Sequence, residues 1–459
     1  MCYLYSSRLS FPVRKTQYYG WYTRSGLLLK QIAKCMLMTL MLFSGETFAD
    51  TLYQFGYQYY ERLNIPVGGK NNKGFLLANF DYQGQKEKMN TKAEFNFRFY
   101  PHNAEGVYSF PEVFVSYKKT WFDLTLGRKI IDFAPAEKFW LLGEINPVRG
   151  FNLLEEKQEG LMGAHLDLHF RRSSLSFIAS LIHIPQINPT YKIKSGKVRA
   201  PNEWSKLPPT KARFNGQDMQ IYYNLIKPDL DRILIHPTTG IRYKYEWSEN
   251  SGAQAFALFK PEPGIRMKAT GFYEQNTVER ASVFVKPFVN KHIIMGGEIY
   301  QQFSFMQLRV GLWHFDPQKG PDKDFNFTAL RIEPTYTTED YFYTKLSGIW
   351  NKINWSANFL DLISRDNRTD DLFAKVSKWR RAIGASIDWQ FLEKHSLDFN
   401  YRLDFSMHDH IVNANWNYHF LGNAHLLVGF EFIAAPSAFS YWGPYRTNDS
   451  LFAQVNYVF

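Results

Sequence analysis

Three adjacent residues, His408, Asp409 and His410, are of types that could do chemistry directly. A His beside an Asp could form a hydrolytic dyad, and two His could take a metal. The first needs a placed nucleophile and the second a third ligand, and neither can be named from the sequence. No Gly-x-Ser-x-Gly elbow, His-Glu-x-x-His pair, Gly-rich phosphate loop or calcium loop occurs. The three residues lie between two strongly alternating segments and read as a polar turn. No catalytic residue, metal ligand or cofactor is therefore assigned.

Two other groupings of charge suggest interactions rather than catalysis. Pro185 to Asn215 carries Lys192, Lys194, Lys197, Arg199, Lys206, Lys211 and Arg213 against one acid, Glu203. Such a segment could face phosphates at a membrane surface, steer anions, or be a solvated loop. A second set, Glu94, Arg98, Arg309, Asp388, Asp398, Arg402 and Asp404, falls on the polar side of alternating segments. These groups could line an aqueous lumen, pair across strands, or both.

The elements that must position these groups are strands. Ala93, Phe95, Phe97 and Phe99 alternate with Lys92, Glu94, Asn96 and Arg98. Val412, Ala414, Trp416, Tyr418 and Phe420 alternate with Asn413, Asn415, Asn417 and His419. Strict period two over such lengths predicts half-exposed strands. About 22 candidates occur, joined alternately by short links (Lys118–Thr120, Arg171–Ser173, Glu393–His395, Leu421–Asn423) and long ones (Ile131–Gln158, Pro185–Asn215, Ser364–Lys378, Ala434–Asn448). Leu451, Ala453, Val455, Tyr457 and Phe459 give the last strand one almost wholly apolar face up to the C-terminus. A strand with lipid on one side and a polar lumen on the other has this pattern.

Composition agrees. The 459 residues include 12 Trp, 28 Tyr and 40 Phe, 17% aromatic in all, yet no run approaches the ~20 apolar residues of a spanning helix. The apolar run Cys35–Phe43, preceded by Lys30 and Lys34 and followed by Thr47-Phe48-Ala49, reads as a secretory signal peptide. The expected division is a leader over 1–49, with cleavage after Ala49, and one domain over 50–459. The leader is longer than needed, so translation could begin nearer Gly26 to Lys30. Both cysteines, Cys2 and Cys35, lie in it, so no disulfide would stabilise the mature chain. Six of the basic residues lie there too, so the net charge of +11 falls to about half. Without a basic helix or zinc spacing, this does not argue for nucleic acid.

The C-terminal strand resembles those of Gram-negative outer-membrane β-barrels, in which a terminal aromatic residue with Tyr two positions earlier is read by the insertion machinery. The resemblance assigns Tyr457 and Phe459 that role. The segment Leu126–Gly163 resembles large porin-like channels. There a strand ending Leu-Gly-Arg (Leu126, Gly127, Arg128) enters a loop carrying Trp140 and Asn146-Pro147, before a return strand with Gly160 and Gly163. This covers under a tenth of the chain. It implies an all-β fold, one closed antiparallel transmembrane barrel of even strand number, 18 within a range of 16–22. It also implies a third loop that enters and narrows the lumen, with Asp132, Glu137, Lys138, Glu144 and Arg149 as constriction residues. The family's arginines facing acids have no residue-by-residue match here.

The expected function is passive diffusion of small hydrophilic solutes across the outer membrane, without a cofactor. Expected partners are membrane lipid, lipopolysaccharide, the insertion machinery and the solutes themselves. The alternatives are a plugged or structural barrel whose external loops bind lipopolysaccharide or a surface partner, a hydrolase at the His408–His410 rim, and a soluble secreted β-protein. The solute and the oligomeric state are left open.

Overall fold

The computed structural model describes residues 48–64, 72–101, 105–150, 152–186, 192–199, 204, 210–214, 217–274, 280–317, 330–332, 338–364 and 376–459. Residues 1–47 of the expected leader, and Lys206, lie outside these, while Phe48 and Ala49 belong to the first strand. Eighteen antiparallel strands form one barrel: β1 (Phe48–Arg62), β2 (Asn72–Lys86), β3 (Met89–Tyr100), β4 (Glu105–Ser109 continued by Val113–Lys119), β5 (Phe122–Lys129), β6 (Leu161–His169), β7 (Ser173–Ile182), β8 (Ile235–Ser248), β9 (Ser251–Pro261), β10 (Lys291–Gln302), β11 (Met306–Pro317), β12 (Glu339–Trp350), β13 (Ile353–Leu362), β14 (Arg381–Leu392), β15 (His395–Asp404), β16 (Asp409–Leu421), β17 (Ala424–Ala434) and β18 (Ser450–Val458). Each pairs with its sequence neighbour, and β18 pairs with β1 from Val458↔Gln54 to Ser450↔Arg62, which closes the ring. Closure leaves no sheet edge, so the wall satisfies its backbone groups internally, as lipid requires.

The candidate strands in excess of 18 have a local explanation. Among them, short strands lie in the connections at one end, including the hairpin Lys192–Lys194/Lys197–Arg199 and the five-stranded sheet of Lys211–Phe214, Gln217–Leu225, Arg280–Phe288, Arg266–Glu274 and Leu330–Ile332. Strand β4 is interrupted at Pro111, which has no N–H to give the ladder. There Gly160 donates to the Pro111 carbonyl (2.8 Å) and Ile130 donates to the Glu112 carboxylate (2.9 Å).

Connections of a few residues lie at one end of the barrel and longer ones at the other. Outward residues are apolar around the circumference. Tyr53, Phe55 and Tyr57 on β1, Leu124 and Leu126 on β5, Tyr243 and Tyr245 on β8, Leu312 on β11, Ile383 and Ile387 on β14, and Phe430 and Phe432 on β17 are all exposed. Trp121, Trp247, Trp350, Trp389 and Phe459 are exposed at or near the short-turn end, as aromatic girdles require. An apolar belt on every flank of a closed wall has no second sheet to cover it and is matched by acyl chains.

The inner face differs from expectation in one respect. Alternation predicts a polar lumen along its whole height, and the short-turn half is polar. Toward the long-loop end the inward residues turn apolar. Phe75, Leu77, Phe256, Leu258, Ile294, Trp313, Phe315, Tyr341, Tyr343, Leu360, Ile411 and Ile433 are all buried in one cluster. Both faces of the wall are apolar there because connecting loops pack against the inner one.

Candidate functional site: the barrel lumen

The connection 130–160 between β5 and β6 is the third at the long-loop end. Gly127 in the Leu-Gly-Arg run has φ +127°, and a Cβ there would strike the Val113 carbonyl and Phe114 backbone. Glycine therefore lets β5 lie against β4 where the loop departs. Arg128 donates to the Gly160 carbonyl (2.9 Å) and pairs with Glu159 (2.7 Å); Glu159 also pairs with Arg149 (3.3 Å) and accepts from Ser109 (2.7 Å). This buried triad joins the start and end of the loop to the wall.

From that root the loop meets widely separated strands. Arg242 of β8 donates to the Asp132 carbonyl (3.0 Å), and Gln254 of β9 to that of Phe133 (3.1 Å). Lys260 of β9 donates to the carbonyls of Glu144 and Ile145, and Arg402 of β15 to that of Phe139 (2.9 Å). On the other side Asn152 donates to Glu431 of β17 (2.6 Å), while Glu155 pairs with Arg98 of β3 (2.5 Å) and accepts from Tyr60 of β1 (2.7 Å). Partners on β1, β3, β8, β9, β15 and β17 place the loop across the lumen.

Two further loops hold it. Trp379, before β14, donates to the Trp140 carbonyl (2.8 Å), and Lys378 pairs with Glu156 (3.0 Å). Trp442, before β18, has its ring 5.5 Å from that of Trp379, which is 5.6 Å from that of Trp140. All three tryptophans have no exposed surface.

The constriction candidates divide. Asp132 and Lys138 have exposed side chains and lie within electrostatic reach of Lys345 on β12, which is paired across the ladder with Arg309 on β11. Glu144 is half-buried, its carboxylate 3.9 Å from His292. Arg149 is buried in the root triad. Glu137 is buried in the first turn of the five-residue helix Ala136–Trp140 and accepts N–H bonds from Ile145 (2.5 Å) and Asn146 (3.4 Å), so it shapes the loop from within.

Burial pushes the Glu137 carboxyl up to about 7, against those N–H donors and Lys260. Burial also raises Glu156 against Lys378. In Glu155 burial acts upward, but Arg98 and the hydrogen bonds from Arg98, Tyr60 and Gln58 outweigh it and hold the carboxyl low. For Glu137 the folded loop binds the proton more tightly than the unfolded chain. Its contribution is complete below the ordinary value of 4.5 and is lost as pH rises through about 7. Stability toward urea is expected to fall between pH 5 and pH 8, and Glu137→Gln to flatten that slope; an equal slope in the variant would contradict this.

The seven lumen candidates all lie on inward-facing positions by register. Arg98 lines a cavity of about 430 Å³. Glu94 accepts from Asn96 (3.3 Å), and Arg309 pairs with Glu298 (2.5 Å). Asp388 and Asp398 oppose each other across β14–β15. Arg402 and Asp404 are buried: Asp404 accepts N–H bonds from Arg380, Ser406 and Met407 and closes a turn. In the basic segment Lys194, Lys197, Arg199 and Lys211 are exposed. Lys192 and Arg213 lie in short strands. Tyr457 and Phe459 are exposed on β18 and just beyond it, with Phe459 edge-on to Phe55 at 5.9 Å.

His408, Asp409 and His410 are not brought together as a site. His408 occupies a turn position with φ +58°, Asp409 accepts from Ser440 (3.0 Å), and His410 pairs with Tyr401 (3.0 Å). Among the described residues no three His, Cys, Asp or Glu could hold a metal.

Sequence reasoning missed Glu155, Lys157, Arg242, Lys260 and Glu431. The inward parity of Arg242, Lys260 and Glu431 was legible but their loop partners were not, and Glu155 and Lys157 lie in the loop, where no periodicity marks them.

A closed ring of 18 strands, an apolar outer belt and a partly polar interior together admit one environment. The chain is an integral outer-membrane β-barrel. No protein-family model and no curated protein sequence matches the chain. Among solved structures it is similar to Acinetobacter baumannii OccAB4 (8% identity, 90% of this chain and 98% of that one, TM-score 0.46). It is also similar to Pseudomonas aeruginosa OccK2 (OpdF), solved with glucuronate (9%, 90% and 98%, TM-score 0.47), and to the outer membrane protein OpdK of the same organism (9%, 90% and 98%, TM-score 0.44). Nothing about the lumen of this barrel follows from those likenesses.

Proposed function

We propose that the barrel is a channel for passive diffusion of small hydrophilic solutes, with the 130–160 loop setting its bore. The observation that carries this reading is a single loop anchored to strands on widely separated parts of the wall, above an inner face rich in Asn, Ser and charged groups. Solutes would pass where the loop leaves polar wall uncovered. Asp132 and Lys138, facing Lys345, would impose charge and size selection there. Glu137 and Arg149 would act instead by holding the loop's shape.

In the same reading the segment 1–49 is the export signal, Tyr457 and Phe459 present the chain to the insertion machinery, and the basic segment meets lipopolysaccharide phosphates. A second reading is favoured by the buried tryptophans Trp140, Trp379 and Trp442: the loops plug the barrel, and its external surface binds a partner.

Single-channel recording of the refolded mature chain, Asp50–Phe459, in a planar bilayer separates the two. Discrete steps that scale with salt are expected. Replacing Ala134–Arg149 by a short Gly-Ser link should raise the conductance several-fold. Silence from folded, inserted protein would overturn the channel reading in favour of the plug.

A further inference from the structure

We propose that the cavity between β1–β4 and β16–β18 is a binding site for neutral polyhydroxylated solutes, saccharides of one or two rings. This rests on the channel reading and names the solute class of one part of the lumen.

Amides dominate the polar lining. Asn79, Asn96, Asn415, Asn417, Gln454 and Asn456 face this space from four strands. Each side-chain amide has a carbonyl that accepts and an NH₂ that donates, which matches a hydroxyl group that does both. Their mutual bonds leave capacity to spare. Asn79 donates to Gln54 (2.9 Å), Gln454 to Asn456 (2.7 Å) and Asn417 to Asp398 (3.1 Å), each through one of its two N–H groups, while the Asn415 carbonyl is buried against Gly429.

The charged groups at the edge are mostly paired among themselves, with positive charge in excess: Arg98 is paired with Glu155, and Arg149 shares Glu159 with Arg128. Lys157 forms no ion pair among the described residues and donates to Asn96 (3.1 Å). Half-buried Leu427 supplies apolar surface suited to the C–H face of a sugar ring, and the lining Leu77 and Phe452 are buried. One face of Phe452 is stacked on Tyr60 at 5.0 Å.

Two glycines keep the volume open. A Cβ on Gly429 would collide with the Asn415 amide and the Phe452 ring, and one on Gly56 with the Asn456 amide. Glycine at these inward positions lets the amides lie against the wall. The resulting 430 Å³ falls within the ~300–1,000 Å³ usual for small-molecule sites.

The test is saturation-transfer NMR on the folded protein in a sugar-free detergent, with sucrose and gluconate as probes, beside bilayer conductance. Sucrose should receive saturation from the wild type, and Asn415→Leu/Asn456→Leu should reduce that signal at least fivefold. Gly429→Val, which fills the cavity, should do the same, and Lys157→Gln should leave sucrose unaffected. Resistance to SDS at room temperature establishes that each variant is folded. No transfer to sucrose in the wild type, or transfer to gluconate alone that Lys157→Gln removes, overturns the inference. Conductance without sucrose binding rejects the site and keeps the channel. Sucrose binding without conductance keeps the site and rejects the channel.

Discussion

Trp379→Ala is expected to free the lumen loop from its clamp without opening the barrel wall. The indole has no exposed surface, lies between the rings of Trp140 and Trp442, and donates to the Trp140 carbonyl. Truncating a buried aromatic of this size costs about 3–5 kcal/mol, part in lost contacts and part in the cavity left behind. The loss falls on loop docking, because the wall is held by its own ladder. Hydrogen exchange at the Ile145 and Asn146 amides should therefore quicken by roughly a hundredfold or more, while wall amides stay protected. Single-channel traces should gain flicker between two levels. Unchanged exchange in the loop would show that Trp379 does not hold it.

The second large effect is at the loop's root. Glu159 has no exposed surface and is shared by Arg128 and Arg149, both nearly buried. Glu159→Ala leaves two buried guanidinium groups without their counter-charge, and breaking a buried pair this way costs about 3–5 kcal/mol. Glu159→Gln preserves shape but not charge, so it should cost nearly as much. The temperature at which the barrel loses SDS resistance should drop in both variants. If the Gln variant stays within about 1 kcal/mol of wild type in urea unfolding, shape rather than charge holds the root.

These two effects separate what could be read along the chain from what could not. The barrel was legible because a spanning strand writes its environment into alternate residues. Phe430 and Phe432 face out and Glu431 faces in, and no tertiary information is needed to see it. The alternation of short and long links gave the hairpin order and the place of the third loop, but counting segments gave about 22, and only the closed ring fixed 18. Arg128 was visible as part of Leu-Gly-Arg, but its role was not. Its partner Glu159 is 31 residues away, and the shared Arg149 belongs to the same loop only after that loop has folded back.

The lumen was harder to read for a physical reason. Parity says that a side chain faces inward, not what it meets there. Trp313, Phe315, Tyr341 and Leu360 break the polar pattern on their inner faces, a signal that something apolar packs against them, yet the packing partners are loop residues with no periodicity. Arg402 and Asp404 have the parity of pore-lining charges, but one ties down Phe139 and the other closes a turn. Glu137 looks like any loop acid in sequence and is enclosed in the structure. By itself, the sequence determined a membrane barrel, an even strand number near 18 and the direction of each wall residue, because these are set by local period and link length. Which charges stay wet, which are consumed in holding the loop, and where amides converge were decided only by the tertiary structure, because they depend on contacts between segments up to 279 residues apart.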